Sequence, residues 1–150
     1  MQKQEFRTLR GFFDGDEPDE EHYVAHSATL RILRTIDNLD AITEHLGLQP
    51  TACHRIGEKK SPQSPPFRHD MWSYQTPVDE EAPLDQHIQA LWAQLKPHKT
   101  YLLELKKTLT VDVFLGYRTN CDMAGIEVSY PSLAMFVELQ IPFGLSIIVT

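Results

Sequence analysis

Residues 22–34 read HYVAHSATLRILR, and the fold turns on how that stretch alternates. Val24, His26, Ala28, Leu30 and Ile32 fall on one face of an extended chain, with Tyr23, Ala25, Ser27, Thr29 and Arg31 on the other, because successive strand side chains point to opposite sides. A strand with one apolar face needs a layer to cover it, and the segments downstream supply helices. Asp37 stands at an N-cap position, Leu39, Ile42 and Leu46 recur at helical spacing, and Gly47 follows where a left-handed residue ends a helix cheaply.

Two short strands are expected next, over 53–59 and 71–76, joined by the loop SPQSPPFRH, whose prolines cannot donate to a ladder. Pro83 then opens a helix bearing Leu84, Ile88, Leu91, Trp92 and Leu95. Pro97 interrupts the stripe and Tyr101, Leu102, Leu105 and Leu109 resume it, which predicts a kinked helix or two helices end to end. Residues 111–117 and 126–129 read as an antiparallel strand pair, Ser129 as the cap of a last helix carrying Leu133, Phe136 and Val137, and 141–150 as a closing strand with Phe143, Leu145, Ile147 and Val149 on one face. The order β-α-β-β-α-β-β-α-β predicts an α+β fold, a mainly antiparallel sheet with helices packed on one face.

Upstream of the first strand, residues 14–21 read DGDEPDEE, the composition of a solvated linker. The expected organisation is an N-terminal arm with this linker over 1–21 and one α+β domain over 22–150. Of 150 residues, 41% are apolar and 23% charged, enough for one hydrophobic core. Fourteen Lys and Arg against twenty-one Asp and Glu leave a net charge of −7, a field that repels nucleic acid and anionic membrane surfaces. Arg55, Lys59, Lys60 and Arg68 are the nearest approach to a basic patch, but Glu58 and prolines interleave them. Cys53 and Cys121 are far apart with no C-x-x-C spacing, so a reducing compartment is expected. Residues 1–13 carry no apolar signal-peptide core and no 18-residue apolar run occurs, which makes the cytoplasm the expected location.

The residues GLQPT at 47–51, IGEK at 56–59, Trp72 before a polar strand, LDQHIQALWAQLKP at 84–97 and the closing AGIEVSYPSLAMFVELQIPFGLSIIV together resemble the DUF4279 family over about residues 23–150. The resemblance implies no established chemistry, cofactor or partner. The chain departs from it at its final strand, which ends IIVT where an acidic and an aromatic residue are expected, and in its acidic N-terminal extension.

Few residues suggest chemistry. His22 and His26 have an H-x-x-x-H spacing, but on a strand they lie about 13 Å apart, too far to share a metal. Asp14, Asp16 and Asp19 lack the glycine and glutamate that a calcium loop needs at its sixth and twelfth positions, and GEKKS at 57–61 lacks the earlier glycine of a phosphate loop. Cys121 sits in a predicted loop, where an exposed thiol is nucleophilic only beside a base. The candidate binding residues are Arg55, Trp72, Tyr74 and His87, placed to border a cleft between the hairpin and the long helix in which an aromatic wall and a cation hold an anionic or planar ligand. No catalytic residue, metal site or cofactor is assigned.

Three functions are weighed. The first is a non-enzymatic binding or protein-interaction module, of the kind small acidic immunity proteins exemplify, with open sheet edges and a negative charge suited to a basic partner. The second is a small-molecule enzyme or ligand-binding protein using the cleft near Trp72 and His87. The third is a structural homodimer or larger homo-oligomer. Neither a nucleic-acid nor a membrane partner is expected.

Overall fold

Burial alternates along the first strand as its sequence does. In a computed structural model describing residues 22–122 and 124–150, β1 (Val24–Arg34) buries Ala28, Leu30 and Ile32 completely while Ser27, Thr29 and Arg31 stay half-exposed. The N-terminal arm and acidic linker expected over 1–21 lie outside the described residues. β2 (Ala52–His54), β3 (Asp70–Gln75), β4 (Thr110–Thr119) and β5 (Phe143–Val149) complete a sheet of order β2-β3-β1-β4-β5. Four strands pair antiparallel, and β5 joins β4 in parallel. The class is α+β and the sheet mainly antiparallel, as the sequence implies.

Helices cover the face that β1 buries. α1 (Leu39–Leu46) follows β1 and ends at Gly47, whose φ of 65° lets its N–H reach the Thr43 carbonyl at 2.9 Å. Its cap is Asn38 rather than the expected Asp37, because Asn38 Oδ1 accepts the Asp40 and Ala41 amides at 3.0 and 3.3 Å. α2 (Leu84–Leu95) lays Leu84, Ile88, Leu91 and Leu95 into the core. A 3₁₀ turn at Lys96–His98 holds Pro97, and α3 (Lys99–Leu105) continues beyond it with Leu102 buried, so the interrupted stripe is two helices end to end. A second 3₁₀ turn (Tyr130–Leu133) leads into α4 (Ala134–Leu139), which buries Met135, Phe136 and Leu139.

Three expectations change. Residues 126–129 form no strand, because β4 already has β1 on one edge and β5 on the other; Ile126 and Val128 pack against the core instead, and the Ser129 amide is fixed by Asp85 Oδ1 of α2 at 2.9 Å. β2 stops at His54, not 59, since Gly57 adopts φ 88° and the Ile56 amide goes to Asp70 Oδ1 at 2.8 Å. Val137, expected in the apolar stripe of the last helix, is 73% exposed; the 3₁₀ turn rotates α4 so that Met135 faces inward.

Candidate functional site

Among the described residues, Arg55, Trp72, Tyr74 and His87 are not brought together at one surface. Trp72 on β3 is fully buried, its Nε1–H donating to Thr43 Oγ1 at 3.0 Å, and Tyr74 and His87 are also in the core. Arg55 lies apart, beyond β2, donating to the Ile36 carbonyl and to Asp70 Oδ2, the latter at 3.3 Å. There it pairs with a carboxylate. Asp70 also accepts the Ile56 and Ile36 amides, each at 2.8 Å. Those amides, with Arg55 beside them, hold the Asp70 carboxyl below the usual carboxylate range.

His87 belongs to a small buried group with His26 and Tyr117. The His26 ring stacks on Tyr117 with centroids 5.3 Å apart, meets His87 edge-on at 6.4 Å, and donates through Nδ1 to the Ala82 carbonyl at 3.1 Å. Neither ring nitrogen of His87 makes a hydrogen bond of good geometry, the Ala82 and Asp79 carbonyls being the groups that approach it. Burial pushes both imidazoles below the ordinary histidine range, His26 adding to the effect on His87, while the Ala82 and Asp79 carbonyls and the Asp79 carboxylate pull His87 weakly the other way. Among the described residues no group of three or more His, Cys, Asp or Glu is placed to hold an ion.

Cys121 lies in a loop as expected but is buried, its amide held by Thr119 Oγ1 at 3.1 Å, while Cys53 on β2 is exposed. Burial and then the Asp40 charge raise the Cys53 thiol, which works against a reactive thiolate.

The uncovered face of the sheet carries a groove of about 250 Å³. It exists because Ser27, Gly116 and Ser146 stand in register across β1, β4 and β5, and even a methyl at 116 would come within 2.3 Å of Ser27 Oγ. Its charged residues, Glu80 and Arg118, pair with each other across the rim at 3.4 Å. The groove is partly open to solvent, and none of the four expected binding residues lines it.

The most unusual surface is the β5 edge. Phe143, Leu145, Ile147, Ile148 and Val149 are 43–56% exposed. Val113 N–H donates to the Pro142 carbonyl at 3.2 Å, and Thr150 N–H to the Thr119 carbonyl at 2.9 Å. Since strand residues alternate in the direction of their backbone bonds, the even-numbered residues of β5 bond to β4, and Phe143, Leu145, Ile147 and Val149 present their N–H and C=O groups outward. The same four side chains lie in register with buried Val113, Leu115, Tyr117 and Thr119, on the helix-bearing face. The opposite edge is different: β2 has three residues and runs into the proline-rich loop, a normal way to blunt an edge. β5 has seven residues with no charge, proline or bulge.

The closing strand and its alternation stand where the sequence predicts them; its place at the sheet edge is consistent with Ile147-Ile148-Val149, where apolar residues occupy both phases of the strand. Among the described residues, no helix is long and apolar enough to cross a membrane.

Comparison with known families matches residues 21–150 to a family described as a domain of unknown function, DUF4279. No curated protein and no solved structure matches the chain.

Proposed function

The chain belongs to the DUF4279 family, which assigns it no chemistry, and on that premise we propose that it is a non-enzymatic protein-interaction module whose binding surface is the β5 edge. The observation that carries the proposal is an apolar edge strand that no other described element pairs with or covers on its outer side. A row of outward N–H and C=O groups is a template for an added strand, and alternate side chains beside it supply apolar contact. Exposed apolar surface concentrated on one element marks an interaction site more often than does the same area scattered. Trp72, Tyr74 and His87, expected to border a ligand cleft, lie in the core and Arg55 lies apart from them, and the groove has its charges paired internally, so a small-molecule reading draws less support from the geometry.

Site-specific photocrosslinking tests the proposal in the native cell. A benzoylphenylalanine at Ile147 should trap a polypeptide that the same label at exposed Glu104 of α3 does not, and Leu145→Lys should abolish the trapping without lowering Tm. Equal labelling from the two positions would remove β5 as the binding surface.

A further inference from the structure

Resting on that reading, we infer that the strand docked on β5 is β5 of a second copy, antiparallel about a twofold axis through Ser146, giving one continuous sheet across both chains. The argument is the self-complementarity of the strand Phe143–Val149, FGLSIIV. An antiparallel two-residue alternation requires hydrogen-bonded pairs to join residues whose backbone groups both point outward. With Ser146 on the axis, Phe143 meets Val149 of the other copy and Leu145 meets Ile147, so every outward N–H and C=O of β5 finds a partner.

Side chains agree with that register on both faces. On the helix-bearing face it sets apolar residues opposite apolar ones, Phe143 against Val149 and Leu145 against Ile147. On the other face Ile148 comes opposite Gly144, the one position of β5 without a side chain, and Ser146 meets its own hydroxyl. A Cβ at 144 would also crowd the Phe114 ring, at 3.1 Å. Shifting the register by two residues leaves backbone groups of one terminal residue unpaired and moves Ile148 off Gly144. No charged residue lies in the strand, so self-pairing brings no like charges opposite one another. The wider molecule carries −7, and that repulsion is screened by salt, so the dimer should tighten as ionic strength rises.

Sedimentation equilibrium of the full chain at micromolar concentration, combined with cysteine crosslinking, tests the inference. The expected mass is twice the 17.2 kDa of the chain, falling to the single-chain value in Ile147→Lys. In a Cys53→Ser background, which removes the exposed native thiol, Ser146→Cys should form an intermolecular disulfide in high yield. Residues at the axis are a non-hydrogen-bonded pair with Cα atoms about 4.5 Å apart, within disulfide reach. Leu145→Cys, which faces Ile147 rather than itself, should not crosslink. A wild-type chain that sediments at its own mass, or equal crosslinking from 145 and 146, overturns the twofold. If the chain is monomeric yet the label at Ile147 traps a different polypeptide, the second-copy inference fails and the β5 docking surface stands; if neither association appears, both fail.

Discussion

Replacing His87 by leucine should make the protein more stable, and more so in acid. His87 is 1% exposed, and its ring nitrogens have near them only the Ala82 and Asp79 carbonyls, neither in good hydrogen-bond geometry. An unpaired buried polar group costs about 1–3 kcal/mol, and a leucine of similar bulk removes that cost while adding apolar contact with the core around Leu84, Ile88 and Leu91. The pH dependence follows from the same burial. Both His87 and His26 have folded pKa values below the ordinary 6.5, so under acid conditions the unfolded chain takes up protons that the folded chain refuses. Stability is therefore fully present above about pH 6.5 and falls as the pH drops below it, until the folded rings themselves titrate. The limiting slope is about 1.4 kcal/mol per pH unit for each ring, or about 2.7 for the pair. His87→Leu should halve that slope. Urea unfolding followed by tryptophan fluorescence, from about pH 7.5 down to about pH 5, measures both effects in one series. A variant no more stable than wild type near neutrality, or one retaining the full slope in acid, would refute the reasoning.

Asp70→Asn should lower Tm and loosen the chain on both sides, because the carboxylate bonds Ile36, Ile56 and Arg55 together. Its lowered pKa gives the wild type stability present above the unfolded aspartate pKa of about 3.9 and lost as the pH falls below it; acid unfolding by circular dichroism should show that component missing in the variant. Thr43→Val leaves the buried Trp72 N–H without its acceptor and should cost about 1–3 kcal/mol in urea unfolding, whereas Thr43→Ser, which keeps the hydroxyl, should cost less.

What could be read from the sequence was whatever depended on period alone. β1, α1, α2 and the helix break at Pro97 follow from alternation, helical spacing and a missing N–H, and all stand where expected. The misreadings arose where tertiary competition decides. Ile126 and Val128 alternate like a strand, yet which strands flank β4 is settled by a parallel crossover that no local pattern encodes. At Val137 a single 3₁₀ turn shifts the helical phase, and phase is invisible to a count of apolar residues. The expected cleft failed for a related reason: Trp72 and His87 carry polar atoms that suggest a surface, but the large apolar bodies of Trp72 and Tyr74 sit on the same strand face as Ile32 and Leu30, which fixes them inside.

The central strand pair has a consequence for how the chain acquires its shape. β1 pairs residues 24–33 with residues 110–119 of β4, so the middle of the sheet joins segments that leave the ribosome far apart in time. Topologies dominated by such non-local pairing fold in milliseconds to seconds, not microseconds. Until β4 arrives, β1 has only β3 beside it and its other edge is bare, a state in which a nascent chain is open to wrong pairing. β5 arrives last, covers the bare edge of β4 and packs Phe143 on core Phe136, so the strand proposed as the docking surface is the final piece of the sheet to form.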